Sequence, residues 1–547
     1  MPSGSSTDLS QQTLLAGPLP SSEQPEPNLP PEQKVVLENE FIRAEFSTHG
    51  GAIRRVSLLK HTTTEEQPVV INLGGPAPIL NLKGWGGVYG IHGYQILSQS
   101  ADSVTLGREL GSGLQLQRTY TLKGDYTIGL EQTVTNTGGG LQVLGPYLLD
   151  LGSQIPTYQH GAERALVGFS WQDSQGGYHT HKIHEFDPAM IPLIGIQLWS
   201  GKDVIRSKPE HTLNWVAMKN QFFVLIVDPL DQPAVQMQGT RRLFPELREK
   251  NQAIPDGVVT QLTVPGLQVD PGASVTQRFE VYAGPRENSR LIAMGEDKAA
   301  VMEFGMFSWV SRFLLWSMNL IHDVVQSYGW AIVILTIFLK AILWTPQGMA
   351  NRSMKRMAAV APLIKEIQEK YKDKPEKLNE EMIKVYKDYG VNPVGGCFPL
   401  LLQFPIFLGF YSMLQTAIEL RHQSFLWITD LSQPDTIFHI PFFGYDFPVN
   451  PMPLIMAATM YWSMSVTPQP AGVDNPMIKI MKFMPILFLL FCYNFSSALS
   501  LYWTVQNLLS IVQLYVNLRL KEITLDDMKA EVAAKRLKAK ALKKKKP

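Results

Sequence analysis

Between residues 34 and 285 hydrophobic and polar positions alternate with a period of two, in short runs. Ile42–Phe46, Ile53–Leu59, Leu114–Leu122, Tyr126–Val134, Phe222–Val227, Val258–Val264 and Val275–Val281 are such runs. Turn-forming clusters such as Asn136–Gly140 and Pro271–Ala273 separate them. Period two puts alternate side chains on opposite faces and predicts half-buried strands. Many short strands with few helical patterns predict an all-β sandwich of two broad sheets over 34–290. After residue 300 the period changes. In 303–322, Phe304, Phe307, Val310, Leu314, Met318 and Ile321 recur at steps of three and four, with Ser308, Ser311, Arg312 and Asn319 on the other side. That pattern predicts an amphipathic helix lying in a membrane interface, the rival being a spanning helix. Five long apolar runs follow, at 329–346, 397–418, 451–467, 483–499 and 500–518. Each approaches the ~20 residues that cross a bilayer. Between the first two, residues 349–389 are polar and predict a helical hairpin broken at Lys372–Pro375. The last two runs meet near Ser496-Ser497-Ala498 and predict a tight hairpin.

Bulk composition hides this division. Over 547 residues, 45% hydrophobic and 18% charged with mean hydropathy −0.03 describe an average soluble protein. A formal charge of +1 argues against wholesale nucleic-acid binding. Two cysteines, Cys397 and Cys492, exclude a disulfide scaffold or a cysteine zinc site. Residues 1–33, rich in Ser, Pro, Gln and Glu, predict a disordered leader. They carry no basic stretch followed by an apolar one, so they do not read as a signal peptide. Loop charge orients the spans. Residues 349–389 hold 10 Lys/Arg, 419–450 hold only Arg421 against four acids, and 519–547 hold 11 Lys/Arg. The positive-inside rule then places 349–389, 468–482 and the basic tail 521–547 in the cytoplasm, and the 419–450 loop and β domain outside.

Lys340 carries the sharpest chemistry. It is the only ionisable residue between Gly329 and Pro346. A charge inside a membrane is costly and marks a functional site by default. The bland alternative is snorkelling to the interface near Pro346. Thr336, one turn earlier, shares its helix face. Gln403, Tyr411, Ser412, Gln415 and Thr416 in the second run, and Ser500, Tyr502, Thr504, Gln506 and Asn507 in the last, supply polar walls for a groove, or else ordinary interhelical hydrogen bonds. Sixteen of the 21 methionines follow residue 300, four of them at i+4 steps from Met452 to Met464, a pattern more typical of packing than of recognition. His179 and His181 share a strand face, but no further ligand spacing completes a metal site. The chain has no GxxxxGK[ST], GxSxG or HExxH, so no nucleotide-driven or hydrolytic machinery is expected.

The run Val391-Asn-Pro-Val-Gly-Gly-Cys-Phe-Pro-Leu-Leu-Leu-Gln-Phe-Pro-Ile-Phe407 resembles the YidC/Oxa/Alb family of membrane protein insertases. So do Ala417–Arg421, Phe425–Leu431, Met481–Pro485 and Leu501–Leu508, in the family's order. The resemblance implies a galactose-mutarotase-like periplasmic β-supersandwich, then a five-helix core in a bacterial inner membrane with a cytoplasmic C-terminus. It implies insertion and folding of nascent membrane proteins, alone or beside the Sec translocon, by a physical and not a covalent mechanism, with no cofactor and with a monomer sufficing. Lys340 falls where the family usually has Arg in a groove, and Thr336 matches a groove position. Gln403 and Tyr411 line the same groove. Phe404, Pro405 and Phe407 match a client-contact region, and Tyr502 and Trp503 an aromatic pair. The basic tail resembles tails that meet ribosomes, and membrane lipids are implied partners. The family's first helix, which anchors the exported domain, has no counterpart before Val35. A secondary transporter and a sugar-active or sugar-binding β domain are the competing readings; the first predicts internal repeats, which the chain does not show clearly.

Overall fold

The computed structural model describes residues 29–85, 91–157, 161–190, 197–248, 254–372, 374–391, 398–442, 445–466, 476–518 and 524–544. Most of the leader, residues 392–397 of the Val391–Phe407 run and most of the 468–482 loop lie outside the described residues. The chain divides into two compact units, Met1–Met302 and Glu303–Pro547.

In the first unit the alternating runs become strands, and every pairing between strands is antiparallel. Nine strands form the largest sheet, in the order 178–182, 168–173, 213–219, 223–229, 274–285, 127–136, 114–122, 103–111 and 95–99. A five-stranded sheet contains 204–206, 236–243, 256–264, 147–154 and 81–83, and a four-stranded sheet contains 34–38, 42–47, 52–62 and 68–71. Leu114–Leu122 keeps a two-residue alternation, burying Leu114, Leu116, Arg118, Tyr120 and Leu122. Tyr147–Gln154 is buried at every position and loses the alternation, because layers cover both of its faces.

Polar residues join these sheets. Arg118 is fully buried and donates to Gly51 O at 2.9 Å and Leu80 O at 2.7 Å. Tyr120 OH donates to the same Gly51 carbonyl at 3.0 Å. Gly51 has φ +56°, and a Cβ there would lie 2.5 Å from the Tyr94 ring, so the turn requires glycine. Asp150 accepts from Asn81 and Gln261, both at 2.8 Å, and pairs with Lys83 at 3.2 Å. The candidate metal histidines instead each make a hydrogen bond to one carboxylate. His179 meets Asp173 at 2.8 Å and His181 meets Glu185 at 3.0 Å.

Arg164 and Arg241 each grip both Asp187 and Asp256, at 2.7–3.1 Å. The Arg164 hydrogen bonds, reinforced by both guanidinium charges, hold the Asp187 carboxyl below the usual carboxylate range. A carboxyl with a depressed folded pKa stabilises the fold above its unfolded value of about 3.9 and loses that contribution as pH falls through the folded value. Acid unfolding of the β unit is therefore expected to depend on Asp187 below pH ~4. Asp187→Asn should lower stability near neutral pH by about 1–2 kcal/mol and flatten the acid limb, as read by urea midpoints measured from pH 7 to pH 2.

Among the described residues the second unit is helical apart from one two-stranded antiparallel ribbon. The helices Gly161–Arg164 and Asn288–Met294 of the first unit are α1 and α2; those that follow are α3 (Ser308–Val325), α4 (Tyr328–Lys370), α5 (Pro375–Asp388), α6 (Phe398–Thr416), α7 (Pro451–Val466), α8 (Pro476–Cys492), α9 (Ser497–Leu518) and α10 (Leu525–Lys544). Among the described residues α4 alone is long and apolar enough by itself to cross a membrane. The first apolar run and the first arm of the polar hairpin form one helix. Pro346 and Pro362 lie inside α4 without ending it. Its 43 residues extend about 65 Å, roughly twice the bilayer core, so its C-terminal half projects beyond any span.

Helix α3 presents two apolar faces, not the apolar and polar pair expected. Val310, Leu314 and Met318 are buried, while Trp309, Phe313, Trp316, Leu320 and Val324 are exposed. Ser311, assigned to the polar side, is buried and donates to Gly409 O of α6 at 3.0 Å. A Cβ on Gly409 would lie 2.7 Å from Val310, so glycine permits this crossing. Helix α5 folds back on the α4 arm. Met528 of α10 is buried with Val360, Ile364 and Val391, bordered by Met357, Met382 and Tyr386. Glu531 also pairs with Arg356. The start of the basic tail is thus a docked helix, because Leu525 and Met528 supply an apolar edge that the lysine count conceals.

Candidate functional site

Lys340 lies on α4 two helical turns before Gln347, so both side chains occupy one face. Lys340 is only 3% exposed. Its ammonium donates to Gln347 Oε1 at 2.6 Å and to Ser510 Oγ of α9 at 2.8 Å. Among the described residues no carboxylate pairs with it. Snorkelling to water therefore does not describe its position: the ammonium runs along its own helix and stays buried.

An ammonium is a donor only, so the facing amide must turn its oxygen toward Lys340. The Gln347 NH2 then points away and donates to Gln403 Oε1 of α6 at 3.4 Å. Gln506 Nε2 of α9 donates to the same oxygen at 3.4 Å. Gln403 Nε2 in turn donates to Tyr502 OH at 3.0 Å. Ser510 passes its own hydrogen to Gln506 O at 2.8 Å. One buried cation thus polarises a relay of neutral groups across α4, α6 and α9. On α9, Tyr502, Gln506, Ser510 and Gln513 form a stripe at steps of four, four and three, and Gln513 Nε2 reaches Trp344 O at 3.0 Å.

The structure brings Lys340, Gln403 and Tyr502 into one network. Thr336 does not join them. Its hydroxyl bonds back to Ile332 O at 2.6 Å, because a threonine inside a helix finds the preceding turn first. Phe407 and Trp503 form an aromatic cluster with Phe488 of α8. Phe407 meets Trp503 edge-on at 4.7 Å, and Phe488 lies 5.0 Å from the indole. The Trp503 Nε1 is buried and has no hydrogen-bond partner among the described residues. Tyr411 accepts from Gln415 at 3.0 Å and contacts Phe407 and Phe495, outside the Lys340 relay. Phe404 is half exposed, with its ring edge-on to Phe307. Pro405 lies inside α6 and withholds one backbone donor from the helix ladder. Tyr502 is buried and stacks on Phe410 at 4.1 Å.

Gln347 and Ser510 join the Lys340 network without a signal in the linear pattern. Gln347 follows Pro346, which looked like the end of a span. Ser510 is two turns beyond Tyr502 and becomes visible only when the α9 stripe is extended.

A helical unit with an apolar helix long enough to cross a membrane, following an all-β unit in the chain and holding a buried ammonium among neutral partners, is the architecture of a membrane protein with an exported or cytosolic β domain. Residues 320–523 match the family model of the 60Kd inner membrane protein, and residues 89–317 match that of the YidC periplasmic domain. A membrane protein insertase YidC of Janthinobacterium sp. (strain Marseille) is 30% identical over 88% of this chain and 83% of its own length. The chain belongs to the YidC family of membrane protein insertases. Among solved structures it is similar to an active YidC insertase (18% identity, 94% of this chain and 97% of that one, TM-score 0.34). It is also similar to a galactose mutarotase related enzyme from Lactobacillus acidophilus (12% identity, 46% of this chain and 97% of that one, TM-score 0.30). Family membership leaves the transporter reading without support.

Proposed function

We propose that this chain, a membrane protein insertase of the inner membrane with a periplasmic β domain, receives its clients at the polar network around Lys340. The observation that carries this reading is the buried ammonium held by neutral groups alone. Gln347 and Ser510 orient the cation without neutralising it, so its field remains available to an incoming carboxylate. A polar segment of the client exchanges water for Lys340, Gln403, Gln506 and Tyr502, which lowers a desolvation penalty of several kcal/mol per unsatisfied group. The client's apolar segment then partitions into lipid along α6 and α9, where Phe404, Leu508 and Val512 are exposed. Partition drives the process, so no nucleotide enters the mechanism.

In this reading α4, α6, α7, α8 and α9 cross the membrane, α3 lies in its interface, and the α4 arm, α5 and α10 face the cytoplasm. The basic tail meets the ribosome, and the Sec translocon and surrounding lipids are further partners of a functional monomer. Site-directed photo-cross-linking tests the path. A photoreactive residue at Phe404 or Leu508 is expected to capture a single-span client during insertion at least ~5-fold above one at Ile342, an exposed α4 position away from the network. Equal capture at all three positions would overturn the path.

A further inference from the structure

Outside the functional site, the exposed apolar surface of one loop has no assigned role. Strands Phe438–Phe442 and Tyr445–Val449 form a two-stranded antiparallel hairpin between α6 and α7. The register opposes Phe438 to Val449 and Ile440 to Phe447 on one face. His439 with Pro448, and Pro441 with Asp446, occupy the other. The ribbon is therefore amphipathic with a period of two, yet it belongs to no larger sheet. Phe438, Ile440 and Phe447 are 46–53% exposed, and Leu426 and Trp427 nearby are 71% and 44% exposed. A lone hairpin is marginal in water, and an apolar face of this kind needs a cover.

Its attachment indicates which cover. Asp435, just before the ribbon, accepts from Met452 N at the start of α7 at 2.7 Å and from Trp427 Nε1 at 3.0 Å. Asn450 Nδ2, just after it, donates to the carbonyl of Tyr493 at 2.8 Å. Tyr493 follows α8 directly. Its OH donates to Pro448 O at 2.7 Å, and its ring stacks on Phe447 at 5.4 Å. The ribbon is thus bolted to the start of α7 and the end of α8, two ends on the same side of the bundle. Where α7 and α8 cross the bilayer, those ends meet its interface. Pro441 and Pro448 also remove donors from the free edges, which disfavours pairing with a strand of another protein. The remaining edge groups still need water, which excludes the hydrocarbon centre.

We propose that the 437–449 ribbon is an interfacial membrane anchor, its Phe438/Ile440/Phe447 face seated among the phospholipids of the outward leaflet and its His439/Asp446 face toward water. Aromatic and apolar side chains with a polar opposite face suit that zone. The inference rests on the five-span reading: contact with lipid needs α7 and α8 to cross the bilayer, and the choice of leaflet needs the orientation as well.

The test uses the full-length chain in phosphatidylcholine/phosphatidylglycerol vesicles, with an environment-sensitive fluorophore on Ile440→Cys or His439→Cys and the unsubstituted chain as the labelling background. Ile440→Cys lies on exposed surface and is expected to retain insertion activity, which confirms folding. Lipids bearing a nitroxide near the headgroup are expected to quench the Ile440 probe at least threefold more than the His439 probe, and aqueous iodide is expected to do the reverse. Equal iodide quenching of both probes would refute the anchor. Protection of Ile440 from iodide without lipid quenching would also refute it, and would assign the face to a protein partner or a second copy. Lipid quenching confined to the cytoplasmic-side leaflet would keep the anchor and refute the topology.

Discussion

Replacing Lys340 by glutamate is expected to abolish insertion of an acidic single-span client, while arginine at this position preserves it. A unit charge about 4 Å from a carboxylate is worth roughly 4 kcal/mol at an effective dielectric constant of 20, and its reversal changes the sign. Lys340→Ala removes the attraction without adding repulsion, so a loss of tenfold or more is expected, with Lys340→Glu below it. Arginine restores the charge but presents it on a longer, planar group whose donors point differently from an ammonium's, so partial to full activity is expected. The measurement is protease-protected insertion in cells depleted of their own insertase and supplied with each variant, at matched membrane levels. A client without acidic residues should respond several-fold less to the same series. Normal insertion of the acidic client by Lys340→Ala would show that the cation is dispensable and would remove the basis of the groove mechanism.

Arg118→Met is expected to produce the largest loss of stability in the β unit. Arg118 is fully buried on a strand of the nine-stranded sheet, and it satisfies carbonyls of Gly51 and Leu80, turn residues that directly precede strands 52–62 and 81–83 of the other two sheets. Methionine fills a comparable volume but donates nothing. Leu80 O loses its donor, at about 1–3 kcal/mol, while Gly51 O loses one of two donors and keeps Tyr120 OH. The expected total of about 3 kcal/mol lowers the folded-to-unfolded ratio by more than about a hundredfold. Lysine is expected to rescue it only in part, because Gly51 O and Leu80 O are met by two separate guanidinium nitrogens, which a shorter ammonium replaces with a single point. Urea unfolding and limited proteolysis of the β unit read the effect. A midpoint shift below about 1 kcal/mol would mean that the sheets hold together without this residue. Insertion should fall only as far as the amount of folded protein falls, which separates a structural role from one in transport.

The β unit and the helical unit were legible because their periods differ. Leu114–Leu122 alternates strictly, and only one pairing face is consistent with that alternation. The helical runs were legible from length and hydropathy. Lys340 stood out because no other charge shares its run. What could not be read were properties set by contacts between distant segments. That α4 continues through Pro346 depends on packing that supports the helix around a missing donor. That α3 buries Ser311 depends on Gly409, 98 residues away. That Thr336 turns to its own helix while Gln347 takes the cation depends on which side α9 approaches.

Sequence by itself therefore determined the class of each segment, the position of the charge and the family. These follow from local periodicity, from the cost of a charge in an apolar run and from contiguous motif residues. Tertiary structure alone decided the partners of that charge, the docking of the tail helix and the exposure of the 437–449 ribbon. Hydrogen-bond partners and burial are relations between residues far apart in the chain, and a linear pattern carries no distance between them.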